Sequence, residues 1–365
     1  MVRPSWVEVD LAAIRHNVGA IAAAVRPAEV CAVVKADGYG HGDVPVAEAA
    51  LDAGATRLAV ALVAEGIGLR EAGIEAPILL LSEPAASDVG AVVRWQLTPT
   101  VYSRSLLGAL TGAAPAGFPV QVKLDTGMHR VGASTEVARL LAAEIAAGPL
   151  LLEGVWTHFP VAEADHAFTR AQVGAFVAFL EELDGAGVRP QMVHAANTAG
   201  ALADLGARFD MVRVGLGTYG LRPAPGYAPE VDLRPAMSVI SRVTYLRRYP
   251  AGTRPSYGRV RPLPRESTVA TVPIGYADGI PRRLADLGGV VLIGGKRHPF
   301  AGSVTMDQVL VDVGDDPVDV GDEVVLLGRQ GTEEISADEW AERLGTIVWE
   351  IVCGFGPRLP RRYAG

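Results

Sequence analysis

Between about residue 29 and residue 220 the chain alternates, eight times over, between a short apolar run and a segment of helix-like period. The candidate strands are 30–35, 57–62, 78–81, 96–102, 120–125, 152–158, 192–196 and 211–215. Alanine- and leucine-rich stretches such as 136–147 and 169–183 lie between them with helical spacing. Eight strand–helix units in about 200 residues are what a closed (β/α)8 TIM barrel requires. A doubly wound open sheet is the competing architecture, but eight units suit a barrel better.

After about residue 233 the pattern changes. Strand-like runs at 238–249, 267–274, 290–293, 308–313 and 323–327 are separated by Gly, Pro and Asp turns. No long helix is expected before 337–344, where Ser336 would cap the start and Glu339 would complete a capping box. The tail therefore reads as a mostly antiparallel β domain, and the Pro- and Gly-containing stretch 221–235 as the junction. The expected division is an α/β domain at 1–232 and a β domain at 233–365, with the first few residues packing on the latter. A length of 365 residues suits two domains.

Hydrophobic residues make up 49% of the chain and charged residues 20%, enough for a large core in an ordinary soluble protein. The formal charge of −8 argues against nucleic acid or an anionic membrane as a partner. Cys31 and Cys353 stand far apart and give neither a disulfide framework nor metal-ligand spacing, so both are expected as buried thiols in a reducing compartment. The first ten residues contain no apolar signal core, and no run reaches membrane-spanning length, so a cytoplasmic location is expected.

The chemistry begins at Ala32-Val33-Val34-Lys35-Ala36-Asp37-Gly38-Tyr39-Gly40-His41-Gly42. A strand buried on both sides ends on a lysine, and burial disfavours the ammonium form. A neutral lysine amine attacks aldehydes to make a Schiff base. An isolated lysine at such a place simply snorkels to water. Three glycines that clear space for close backbone approach, with Tyr39 and His41 beside them, favour the chemical reading instead.

Barrel active sites collect at the C-terminal strand ends. The polar residues at those ends are Lys35, Lys123, Asp125, His158, His194, Asn197 and Arg213. Any one of them alone would pass for a structural group; five strands ending this way point to a site. Arg213-Val214-Gly215-Leu216-Gly217 adds backbone N–H groups suited to a phosphate, although both glycines would serve a plain turn equally well. In the second domain Gly275-Tyr276-Ala277-Asp278-Gly279 and Gly302-Ser303-Val304-Thr305-Met306-Asp307-Gln308 stand out. On pattern alone Tyr276 is as well read as a packed aromatic as a catalyst.

With these residues in hand the chain resembles the alanine racemases, pyridoxal-phosphate enzymes built from a barrel and a β domain. The likeness runs from Val7-Glu8-Val9-Asp10-Leu11 to Pro357-Arg358-Leu359-Pro360-Arg361-Arg362-Tyr363. It rests on the segments Lys35–Gly42 and Lys123–Gly132, then Thr157-His158-Phe159, Arg213-Val214-Gly215, Gly275–Gly279 and Met306-Asp307-Gln308, in the family's order.

The resemblance implies that Lys35 carries pyridoxal 5'-phosphate and acts as one of two bases. Tyr276 matches the second base, reaching the opposite face of the amino acid from the partner subunit of a homodimer. His158 and Arg213 match the residues beside that tyrosine, and Arg213 matches the group facing the cofactor's pyridine nitrogen. Tyr39, Leu81, His158, Asn197, Thr198, Arg213, Gly215 and Leu216 match cofactor-binding positions. Arg130, Met306 and Asp307 match substrate-binding positions. The residue matching Lys123 is found carbamylated in family members, which makes Lys123 the candidate here. The implied product is D-alanine, of the kind used for peptidoglycan precursors.

The chain departs from the family pattern at Thr198, commonly serine, and at Pro160, Glu163, Ser303, Thr305 and Pro357. Several of these positions line the substrate entrance in relatives. They leave room for a racemase of broader range, acting on serine or other small amino acids. A barrel decarboxylase is disfavoured by Arg213 and Tyr276, and a non-catalytic cofactor-binding barrel lacks the second domain that this chain has.

Overall fold

Eight parallel strands follow one another around a ring in the computed structural model, which describes residues 3–203 and 205–365. They are Glu29–Val33, Ala55–Val60, Ile78–Leu80, Thr100–Val101, Pro119–Lys123, Leu151–Trp156, Met192–His194 and Met211–Val214. The last pairs in parallel with the first, Val30 opposite Val212. Between the third and fourth strands the ring is completed by Thr98, whose N–H donates to Ile78 O at 2.8 Å and whose O accepts from Leu80 N at 2.9 Å. The barrel expected from the sequence is therefore present.

Its helices form for reasons visible in the chain. Ser134 accepts from Val137 N and opens the helix Thr135–Ala147, which buries Ala138, Leu141, Ala142 and Ile145 at helical spacing. Asp165 accepts from Phe168 N at 2.9 Å and opens the helix His166–Gly185. That cap starts the helix three residues ahead of the expected 169.

Two compact units divide the chain. One comprises Ala12–Gly38 and Asp43–Arg234; the other comprises the segment ending at Leu11, then Tyr39–Gly42 and Pro235–Gly365. In the second unit the strand Trp6–Asp10 lies in a seven-stranded sheet, antiparallel to Met237–Arg242 and parallel to Arg361–Ala364. A three-stranded sheet of Tyr245–Tyr249, Ser267–Val272 and Val309–Gly314 stands beside it in this unit. Among the described residues no helix is long and apolar enough to cross a membrane.

The structure corrects several expectations. The run 238–249 is two strands in different sheets, because Val243 N bonds to Asp322 O and Thr244 N to Thr271 O, each at 2.9 Å, which turns the chain from one sheet to the other. The run 96–102 keeps only Thr100–Val101 as strand, since Gln96 adopts the left-handed φ of 50° just past the helix Val89–Arg94. Cys353 is exposed, lying off the buried face Val348, Ile351 and Val352 of its short helix; Cys31 is buried as expected. Ser336 does cap the helix Ala337–Leu344 through Glu339 N at 3.1 Å. The reciprocal half of the box is absent, because the Glu339 carboxylate is taken by Arg297 at 3.0 Å and Arg343 at 3.2 Å.

Candidate active site

The first barrel strand ends at Val33, and half-buried Lys35 follows at the C-terminal rim. The backbone then turns left-handed at Ala36 (φ 54°), Asp37 (φ 53°) and Gly38 (φ 58°). Each non-glycine residue held there costs on the order of 1 kcal/mol. Glu65 offsets that strain: Oε1 accepts from Ala36 N at 2.7 Å, while Oε2 accepts from Ala61 N at 2.8 Å and Leu62 N at 2.9 Å. Gly38 suits the close approach here, since a Cβ would sit 3.2 Å from Asp43 N and Cα. The lysine is thus presented by a stiff, strained turn braced by a carboxylate that sequence reasoning missed.

Arg213 stands on the eighth strand, which pairs with the first, and is 2% exposed. Its Nη2 donates to Thr157 O and Ala195 O, both at 2.8 Å, and to His158 Nδ1 at 3.1 Å. Its Nη1 donates to His194 Nδ1 at 2.6 Å. Burial pulls the guanidinium down to about 10, which leaves it charged at neutral pH. Burial, then the Arg213 charge, pushes both His158 and His194 well below the usual histidine range. Both rings are therefore neutral acceptors, matching the donors that face them. Four neutral acceptors hold one buried cation in place without cancelling its charge.

Trp156 lies beneath this group. Its ring is 4.5 Å from the Arg213 guanidinium and 4.3 Å from Lys123 Nζ, and it stacks on His194 at 5.6 Å. A buried indole face attracts both cations. Burial, with Arg213 and Arg130 next, pushes Lys123 down to about 7. Near neutrality that amine is divided between its charged and neutral forms. Arg130 is exposed on the loop after Lys123. Asp125, singled out by its strand-end position, plays a structural part: its Oδ1 accepts from Gly127, Met128 and His129 N and shapes that loop.

A third corner of the barrel rim carries hydrogen-bond donors. The turn Leu216–Tyr219 follows Gly215, which has no side chain to cap its leading amides. Thr198 accepts from Gly217 N at 3.3 Å and keeps its own hydroxyl proton to donate. Asn197 spends its side chain on Phe159 O at 3.1 Å and Gly200 N at 3.0 Å, so it shapes the turn before Thr198. Leu81 is half-buried just beyond the third strand.

The other unit holds Tyr39, Tyr276, Met306 and Asp307. Tyr39 is buried, and burial pushes its phenol up. Tyr276 and Met306 are 42% and 53% exposed. They sit on adjoining turns, with Tyr276 N donating to Thr305 O at 2.9 Å and Ala277 N to Met306 O at 3.1 Å. The approach is so close that a Cβ on Gly275 would fall 2.2 Å from Thr305 O. The Asp307 carboxylate accepts from Arg358 at 2.6 Å. Beneath them Asp278, fully buried, accepts from Arg3 at 2.6 and 3.0 Å and from Gly275 N at 2.9 Å.

The chain matches the family model for the alanine racemase N-terminal domain over residues 9–223 and the one for its C-terminal domain over 236–363. An alanine racemase of Symbiobacterium thermophilum is 47% identical, the match covering 100% of this chain and 98% of the relative. One from Nostoc is 42% identical over 98% of this chain and 95% of the relative. Among solved structures, alanine racemase from Streptomyces coelicolor superposes with a TM-score of 0.94 at 37% identity, covering 99% of this chain and 98% of that one. The Bacillus anthracis enzyme with bound L-Ala-P gives 0.93 at 39% identity, covering 100% and 96%.

Proposed function

The chain belongs to the alanine racemase family, and on that premise we propose that it interconverts L-alanine and D-alanine with pyridoxal 5'-phosphate as cofactor. The observation that carries the reading is Arg213, a guanidinium buried yet charged among neutral acceptors at the barrel rim that also bears Lys35. Such a cation would meet a cofactor ring nitrogen as a donor and would keep it unprotonated.

The residues present fit this cofactor by the chemistry of their donors. Lys35 supplies an amine on a braced turn. The leading amides of Leu216–Tyr219, the Gly215 bend and the Thr198 hydroxyl suit a phosphate dianion. Tyr39, Leu81, His158 and Asn197 complete the proposed cofactor set. When bound, pyridoxal phosphate supplies an aldehyde for amines and a conjugated ring that accepts electron density from the α-carbon.

Lys35 Nζ moves a proton on one face of that carbon, and the Tyr276 phenolic oxygen moves one on the other. His158 and Arg213 support the exchange. Arg130 and the backbone of Met306 hold the substrate carboxylate, and Asp307 adjoins them as a substrate-binding position, its own carboxylate taken by Arg358. Lys123, pushed down to about 7, keeps a neutral amine that takes up carbon dioxide, and the resulting anion orients Arg130. The exposed faces of Tyr276 and Met306 suit a homodimer in which each copy lends Tyr276 to the other's site. Cys31 and Cys353, far apart in the chain, suit a cytoplasmic enzyme, and its product suits peptidoglycan assembly.

Tyr276→Phe tests the two-face arrangement. It is expected to slow deuterium exchange from one enantiomer far more than from the other, and equal slowing would overturn it. Lys35→Ala is expected to remove the visible absorbance band of the holoenzyme. A panel of small amino acids followed by circular dichroism separates alanine from a broader substrate range.

A further inference from the structure

Behind Arg213 a single line of hydrogen bonds runs through the barrel interior. His194 Nδ1 accepts from Arg213, so Nε2 carries the ring proton and donates to Gln121 Oε1 at 2.8 Å. Gln121 Nε2 then donates to Glu153 Oε2 at 2.8 Å, and Glu153 Oε1 accepts from Arg57 at 2.9 Å. Gln121 and His194 are fully buried, and Gly154 leaves the room that Gln121 fills, since a Cβ there would lie 3.0 Å from its Cδ. The polarity is fixed at both ends, because a guanidinium only donates and a carboxylate only accepts. Glu153 also lines a cavity of about 420 Å³ with Arg70 and Glu75. Arg70 is occupied there by the carbonyls of Ile74, Ala76, Trp95 and Gln96.

We propose that Glu153 is a positioning residue for Arg213, acting through Gln121 and His194 to hold His194 as the Nε2–H tautomer and so keep its Nδ1 facing the guanidinium. The proposal rests on Arg213 serving the active site. With Glu153 ionised, reversing the Gln121 amide would aim its carbonyl at a carboxylate and its NH2 at an N–H. With glutamine at 153 the reversal meets a donor instead, and only Arg213 opposes it. A His194 Nδ1–H then confronts the guanidinium and displaces it from Thr157 O and Ala195 O.

The test is ¹⁵N NMR of the histidine rings in the full-length protein, with and without pyridoxal phosphate, His194 being assigned by its loss in His194→Gln. The wild type is expected to show His194 purely as Nε2–H, and Glu153→Gln to show an Nδ1–H population. The kcat for alanine is expected to fall about tenfold with KM within about twofold, the size a hydrogen-bonded support behind a functional group carries. Glu153→Asp should recover part of the rate. Gln121→Met, which removes the middle of the line, should mix the tautomers as well. Arg57→Gln breaks the ion pair and not the line, and should leave the His194 spectrum unchanged. The proposal is overturned if both Glu153→Gln and Gln121→Met keep pure Nε2–H, or if Arg57→Gln reproduces their spectra. Should the wild type fail to racemise alanine, the functional reading falls while the tautomer measurement still decides the positioning role.

Discussion

The two units bury charge in opposite ways. In the barrel, Arg213 is surrounded by carbonyls and neutral imidazoles, and the carboxylate in line with it stands beyond two side chains. In the other unit, Asp278 is gripped directly by Arg3, with Arg358 at 3.3 Å. Neutral acceptors stabilise a charge while leaving its field available, whereas a direct ion pair cancels it. The first arrangement suits a group that must act on something bound; the second suits an anchor, here for the turn that carries Tyr276.

Exchanging those charges separates the two uses. Arg213→Met should show the largest effect, about a 10³-fold loss of racemase rate, within the range of a lost electrostatic group in a dry site. Thr157 O and Ala195 O would also lose their donors, which adds about 2 kcal/mol of destabilisation in urea titrations. Asp278→Ala should reverse the order of damage. It is expected to cost about 3 kcal/mol by leaving buried Gly275 N and the part-buried Arg3 without their acceptor. The rate should fall only about tenfold, through a looser Tyr276. Equal rate losses in the two variants would show that the barrel charge is merely structural.

The architecture was legible because period and strand burial speak directly: eight apolar runs with helices between them admit few folds. The front of the candidate site was legible too, because Lys35, Lys123, His158 and Arg213 fall at strand ends. What lies behind was not. Glu65 lies in the first turn of the helix Val63–Glu71, where an acid is commonplace, and its bond to Ala36 N spans 29 residues. Gln121 and Glu153 were visible only as polar interruptions in apolar strands, and nothing local says that they meet. The switch of sheets near Val243 was hidden for the same reason, since its partners Asp322 and Thr271 are distant in the chain.

Lys123 extends the contrast to pH. The unfolded lysine has its ordinary value of 10.5, while the folded one sits at about 7. Between those values the unfolded chain binds the proton more tightly, so stability should rise with pH across that window. The burial penalty is complete below about pH 7, and Lys123→Met should flatten the slope. Carbon dioxide uptake, read as a mass increase on Lys123, should grow as pH passes about 7, because only the neutral amine reacts. Uptake that keeps climbing with pH up to the ordinary lysine value of 10.5 would mean that burial and the cations around it do not depress the lysine.

The smallest effect belongs to the helix Ala337–Leu344, which provides the baseline for the β unit. Ser336→Ala should cost about 1 kcal/mol by freeing Glu339 N, and the racemase rate should not move. Glu339→Gln should cost less, because its partners Arg297 and Arg343 are about one-third exposed and such pairs are worth roughly 0–1 kcal/mol. A reciprocal capping box would couple the two positions, whereas the observed arrangement gives them no shared bond through the Glu339 side chain. Their double variant should therefore lose the sum of the single losses in urea unfolding. A coupling above about 0.5 kcal/mol would mean that the carboxylate leaves its arginines for Ser336 N in solution.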